Sequence, residues 1–234
     1  MIHAYWCQCG NNFGDLLTRY WIERLTATKV EWVPPDQAEM FGCGSILDSV
    51  PIGYTGMLLG TGSMFGHRAR RDLQDADIRV LRGPLTVELI LGSPYSHDGI
   101  QLGDLGILFA LERPDVNKDC KVGSLPHYDD REPYESDCHL DIRGGIDVLV
   151  DQVARCERIV SSSLHGIILA DALGVENKWV DCLRVRGGGF KFRDYAASLG
   201  ESIEPGVWRL GNQERIAAMA TALREVVIEA VEGR

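Results

Sequence analysis

Apolar positions in this chain fall into two kinds of run: short β-type stretches divided by glycine turns, and longer stretches at helical spacing. Near the start, "IHAYW" is followed by the turn "GNNFGD", and then by Leu17, Tyr20, Trp21 and Leu25 on one face of a predicted helix. Strand-type runs follow at "KVEWV", "MLLGTGS" and "IRVLRG". Pro84 stands where a first helical turn accepts proline, and it opens "PLTVELILG", which Gly92 stops. Strand, turn and helix alternate, the order of βαβ units on a parallel sheet.

The periodicity lapses at "LERPDVNKD", where proline and charge replace apolar spacing, and "KVGSLPHY" restarts a strand. Ile146, Leu149, Val150 and Val153 then give the spacing of an amphipathic helix. It leads through "ERIVSSS" into "IVSSSLHGIILADALG", a short strand that meets three serines and a histidine and then an apolar helix pattern. From Asn212 onward Ile216, Met219, Leu223, Val226 and Ala230 form one stripe of a last helix. The pattern predicts an α/β chain in two lobes, residues 1–116 and 117–234, with the C-terminal amphipathic helix in the second. No short-period repeat or low-complexity tract interrupts it.

Composition narrows the function. With 234 residues and 45% hydrophobic content the chain buries a full core. Its 24 Lys plus Arg against 34 Asp plus Glu leave a formal charge of -10, so no long-range field draws it to nucleic acid or anionic lipid. An anionic substrate must therefore be held by local groups. No apolar run reaches the roughly 20 residues of a bilayer span, and "MIHAYWCQCG" lacks a basic and apolar leader. These features predict a cytoplasmic protein, peripheral at most to the inner face of the membrane. The seven cysteines (Cys7, Cys9, Cys43, Cys120, Cys138, Cys156, Cys182) are odd in number and without a CxxC pair. They argue against a disulfide framework or a zinc knuckle and predict ordinary reduced thiols. The Asp129 and Asp130 pair is too thin for a metal site, and no essential metal or cofactor is expected.

Three stretches have the character of ligand-binding turns at strand ends: "CGNNFGDLL", "LGTGSMFG" and "SSSLHG". Small and hydroxyl residues there let backbone amides approach a phosphate or carboxylate, although glycine turns of this kind also serve structure alone. Ser161, Ser162 and Ser163 supply more hydroxyls than one helix cap requires. His165 follows at the mouth of a buried helix, a place suited to proton transfer. Arg82, ending "IRVLR" before Gly83 and Pro84, is read either as a bidentate anion clamp or as a salt-bridge residue. Asp15 is either a second base or a carboxylate that complements the first helix's dipole. His127 in "LPHYDD" is a further candidate. The basic runs "HRARR" and "RVRGGGFKFRDY" read as solvated faces or, for the second, a mobile glycine loop carrying Lys191 and Arg193.

Taken in order, "NNFGDLLT", "LLGTGSMFG", "VLRGPLT", "LGDLGIL", "LPHYDD", "VSSSLHGIILADALG" and "KFRDYAASLG" resemble the polysaccharide pyruvyl transferase family over residues 11 to 200. The resemblance implies two Rossmann-like lobes facing a cleft, similar to two-lobed glycosyltransferases. It also implies transfer of the pyruvyl group of phosphoenolpyruvate onto two hydroxyls of a sugar or oligosaccharide, lipid-linked in some cases, as a cyclic ketal in exopolysaccharide or cell-surface glycan synthesis. On this likeness His165 and Asp15 are the catalytic candidates. Substrate contacts are expected from Arg82, Ser162, Ser163, Asn12, Gly14, Gly62, Ser63, His127, Lys191 and Arg193. One departure stands out: the family often has arginine two residues before the histidine, where this chain has Ser163. A sugar-nucleotide glycosyltransferase of the same fold and a non-catalytic subunit of a polysaccharide assembly complex are the competing readings.

Overall fold

A computed structural model describes residues 1–8, 10–95 and 98–233. Two sheets organise the chain. The first uses β1 (Ile2–Tyr5), β2 (Val30–Trp32), β3 (Met40–Phe41), β4 (Met57–Thr61), β5 (Asp77–Leu81) and β6 (Gln101–Leu102) in the order β2-β1-β3-β4-β5-β6, every pair parallel. Helices α1 (Phe13–Thr26) and α2 (Pro84–Leu91) fall on its crossovers. The second uses β7 (Cys120–Ser124), β8 (Cys138–His139), β9 (Cys156–Ser161), β10 (Glu176–Trp179) and β11 (Trp208–Arg209) in the order β11-β10-β9-β7-β8, with β11 alone antiparallel. Its helices are α3 (Ile146–Ala154), α4 (Leu164–Ala172), α5 (Phe190–Ser198) and α6 (Gln213–Glu232).

The apolar runs explain the layering. Parallel strands covered on both faces read as continuous hydrophobic stretches, and all five residues of β4 are buried. Leu58, Leu81, Val87 and Ile90 form a core on one face of the first sheet. A larger core gathers Ala4, Leu59 and Val80 from the first sheet with Ile159, Trp179 and Tyr195 from the second part of the chain. Helix α4 is buried on all sides, as its apolarity, broken only by His165 and Asp171, requires. Helix α6 buries Ile216, Met219, Ala220, Leu223, Val227, Ala230 and Val231. It packs on the 3-10 segment Leu105–Leu111, on α1, on α4 and against β5 and β6.

Two expectations change here. Cys120 and Cys138 are joined as a disulfide, not free thiols. The parallel pairing of β7 with β8 brings their Cα atoms to 6.3 Å, within the bridging range, across a separation of 18 residues that carries no spacing signal. Cys7 is disulfide-bonded too, Cys43, Cys156 and Cys182 are free, and Cys9 lies outside the described residues. Neither basic run is a solvated face throughout: Arg70 of the first is buried and donates to Asp72 and the Val50 carbonyl, and from Phe190 the second folds into α5, with Lys191, Phe192, Asp194 and Tyr195 buried. No helix among the described residues is long and apolar enough to cross a membrane.

Candidate active site

Strand ends from both sheets converge on a cavity of about 650 Å³. Tyr5 at the end of β1, Asn12 and Asp15 at the start of α1, His127 beyond β7, and Ser163 and His165 at the start of α4 all line it. Lys191 from α5 and the exposed Arg143 and Arg186 add positive charge, and Asp129 adds a second carboxylate. Carboxyl ends of parallel strands are where ligands bind in such folds, because helix N-termini turn unpaired amides toward them.

The three serines divide their work. Ser161 Oγ donates to the Leu125 carbonyl and accepts the Ser163 amide at 3.0 Å, which shapes the turn from β9 into α4. Ser162 Oγ donates to Asp130 and accepts the His127 amide at 3.0 Å, so it anchors the His127 loop and does not line the cavity. Ser163 is the N-cap of α4, makes no side-chain cap bond, and does line the cavity.

His165 is buried at the cavity wall. Its Nε2 lies 3.4 Å from Asp104 Oδ2 and 3.6 Å from Cys43 Sγ. The ring packs directly on Gly14: a Cβ there would fall 1.9 Å from Nδ1, so only glycine admits the histidine at this point of α1. Asp104, absent from the sequence-based candidates, is fully buried. Burial raises its pKa, but the close His165 ring and hydrogen bonds from the Gly106 amide and Cys43 outweigh burial and leave it below the ordinary carboxylate value. Burial and the neighbouring Asp104 push the Cys43 thiol well up. The signal for Asp104 was its position between glycines in "LGDLGIL", just past β6. Cys43, Asp104 and His165 place ligand atoms within 4.8 Å of one another, and among the described residues they are the side chains with the chemistry to hold a metal ion.

Asp15 and Lys191 give the cavity its charge. Asn12 Nδ2 donates to Asp15 Oδ2 at 3.0 Å. Burial raises the Asp15 pKa, with the Asn12 hydrogen bond, His165 and Lys191 opposing it. Lys191 is only 5% exposed and forms no ion pair or hydrogen bond through Nζ among the described residues. Burial, then repulsion from Arg82, lowers its pKa to about 8. His127 accepts the Asp129 amide on Nδ1 at 3.2 Å, which leaves Nε2 as the protonated nitrogen. Burial, then Lys191, lowers its pKa to about 4, so its ring is neutral at pH 7.

Other expected contacts lie elsewhere. Arg82 is fully buried and does not itself line the cavity: Nε donates to Asp194 Oδ2 at 3.0 Å, Nη1 at 2.7 Å to Oγ of Ser45, which does line it, and Nη2 to the Ser63 carbonyl. Every nitrogen of its guanidinium has an internal partner, so it is not presented as an anion clamp. Gly62 serves the same pair, since a Cβ there would sit 2.3 Å from the guanidinium carbon. The Ser63 amide donates to Thr86 Oγ1 at 3.1 Å, away from the cavity. Arg193 pairs with Glu204 at 3.4 Å on the surface and lies over the Trp179 ring.

Similarity to known proteins agrees with this geometry. The chain is 29% identical to the uncharacterized protein L143 of Acanthamoeba polyphaga mimivirus, over 81% of this chain and 71% of that one. It is 28% identical to the succinoglycan biosynthesis protein ExoV of Rhizobium meliloti (strain 1021), over 86% of this chain and 66% of that one. The chain thus spans 66 to 71% of the length of these curated relatives. Residues 57–181, more than half of the sequence and inclusive of Asp104 and His165, match the polysaccharide pyruvyl transferase model, and the chain belongs to that family.

Proposed function

We propose that this protein transfers the pyruvyl group of phosphoenolpyruvate onto two hydroxyls of a sugar during exopolysaccharide or cell-surface glycan synthesis. The observation that carries the reading is Lys191: a buried ammonium with no ion pair or hydrogen bond through Nζ among the described residues, feeling Asp15 and Asp129 only at longer range, set in a cavity that also holds His165 and Ser163. An unpaired buried cation is unfavourable unless a ligand anion completes it. Phosphoenolpyruvate brings both a carboxylate and a phosphate. Where the family often has arginine this chain has Ser163, and Lys191 supplies a cation to the same cavity from another helix.

The chemistry follows from proton balance. A sugar oxygen bonds to C2 of phosphoenolpyruvate while the methylene C3 gains a proton and becomes a methyl group. The second oxygen then displaces phosphate at C2, and the second hydroxyl proton leaves with the phosphate. One group must therefore carry a proton from a hydroxyl to C3, a task for His165, and Asp15, at the same cavity with its raised pKa, would take the other and pass it to the departing phosphate. Lys191, Ser163 and the His127 Nε2–H form the donor side for the anion.

The test is release of inorganic phosphate from phosphoenolpyruvate in the presence of oligosaccharide acceptors, with His165→Ala as control. The variant is expected to stay folded and lose at least about 10² in rate. Full activity of His165→Ala would overturn its role. Thermal stabilisation by a nucleoside diphosphate sugar, with none by phosphoenolpyruvate, would overturn the reaction in favour of glycosyl transfer.

A further inference from the structure

Behind the cavity wall, against His165, lies the fully buried Asp104, and its two oxygens are not equivalent. Oδ1 accepts the Gly106 amide at 2.9 Å and the Cys43 thiol at 3.2 Å. Oδ2 makes no hydrogen bond of ordinary geometry and faces His165 Nε2 at 3.4 Å. A carboxylate accepts and does not donate, so the proton between these two groups belongs to the imidazole. Cys43 does not compete for that role. It carries one proton, which goes to Asp104, and burial beside a carboxylate keeps the sulfur a thiol, with no means of acting as a nucleophile.

We propose that Asp104 is a positioning residue that holds His165 as the Nε2–H tautomer, so that Nδ1 is the nitrogen that exchanges protons with substrate. Nδ1 has no hydrogen-bond partner among the described residues, and His165 lines the cavity. Gly14 fixes the ring from the opposite side by offering no Cβ. The imidazole is thus held between a buried carboxylate at one nitrogen and bare backbone near the other. Within pyruvyl transfer, on which the substrate part of this assignment rests, the hydroxyl proton passes to Nδ1 as the oxygen lone pair forms the bond to C2. As that bond forms, the C2=C3 electron pair takes the proton from Nδ1 to make the methyl C–H bond, and the imidazole returns to its starting state. Asp104 remains ionised throughout and stabilises the transient imidazolium.

The experiment is a long-range nitrogen–proton NMR correlation on protein labelled with nitrogen-15 histidine, with His165 assigned by His165→Gln. In the protein without substrate, His165 is expected as the neutral Nε2–H form, with Nδ1 unprotonated. In Asp104→Asn the amide can donate to Nε2, so the Nδ1–H form is expected to appear. Its kcat should fall about 10²- to 10⁴-fold, with KM for phosphoenolpyruvate within about threefold. An Nδ1–H tautomer in the unmodified protein overturns the assignment, and so does an Asp104→Asn protein with undiminished kcat. One equivalent of zinc per purified chain, lost in Cys43→Ala, also overturns it, because Nε2 would then bond to the metal and carry no proton. If Asp104→Asn fails to fold, the tautomer of the unmodified protein decides alone. A chain with the Nε2–H tautomer that releases no phosphate from phosphoenolpyruvate would refute the pyruvyl reaction and leave the assignment of Asp104 standing.

Discussion

Removing the charge of Lys191 is expected to strengthen the fold while it weakens anion binding. Burial and the nearby Arg82 lower its pKa from 10.5 to about 8. At about 1.4 kcal/mol for each tenfold change in proton affinity, the charged form is disfavoured in the folded state by up to about 3 kcal/mol. The sign follows from proton counting. Below pH 8 both folded and unfolded chains hold the proton, so the folded state bears the whole penalty. Between pH 8 and 10.5 the unfolded chain keeps a proton that the folded one has released, and stability climbs as pH rises. Lys191→Met keeps most of the aliphatic stem and removes the charge. By urea melts at pH 7 it should be more stable than the unmodified protein by up to about 3 kcal/mol, and about 2 to 4 °C higher in Tm per kcal/mol. The gap should close as both proteins are taken from pH 8 toward 10. In the same variant KM for phosphoenolpyruvate should rise at least about tenfold, the worth of a hydrogen bond to a charged group. A variant no more stable than the parent at pH 7, or a gap independent of pH, would refute the reasoning.

Lys191→Arg keeps its charge at high pH, so phosphoenolpyruvate affinity, which should fall through pH 8 and above in the unmodified protein, should stay level in the variant by isothermal titration. Gly14→Ala puts a methyl group 1.9 Å from His165 Nδ1. The ring must move, and kcat should drop at least about tenfold with a stability loss of about 1–3 kcal/mol. Arg82→Ala leaves Asp194 charged and unpaired in the core, which should cost about 3–5 kcal/mol in a urea melt. A loss confined to phosphoenolpyruvate binding, with the fold intact, would instead restore Arg82 as an anion clamp. The ring of His127 should keep the NMR signature of neutral imidazole down to about pH 5 and titrate near 4.

How much of this was legible in the sequence differs residue by residue. Apart from Asp171, "GIILADALG" is apolar and reads as a buried helix, and that fixed His165 at its mouth. Asp15 and Asn12 were found because a glycine turn before an amphipathic helix marks a strand end. Arg82 was placed correctly at the end of its strand, but its partner Asp194 is 112 residues away, and nothing local to "VLRGPLT" reveals an internal ion pair. Lys191 and Arg193 stood together in one basic run. Two helical residues so spaced point about 200° apart, so one faces the cavity and the other solvent, and the charges alone do not say which. Asp104 was present in a quoted motif yet passed over, because its importance depends on Cys43, 61 residues away from it, and on His165, 122 residues away from Cys43. The disulfide was hidden for a similar reason: it needs the β7 and β8 register, which only the fold supplies.

The seat of helix α6 has a bearing on how the molecule is made. Its apolar stripe covers α1, the Leu105–Leu111 segment, β5 and β6, all of them encoded in the first half of the chain. During synthesis, at about 5–20 residues per second, those surfaces emerge early and stay uncovered until α6 leaves the ribosome. The first sheet therefore does not complete its core as an autonomous unit: residues 213–232 are needed to cover it.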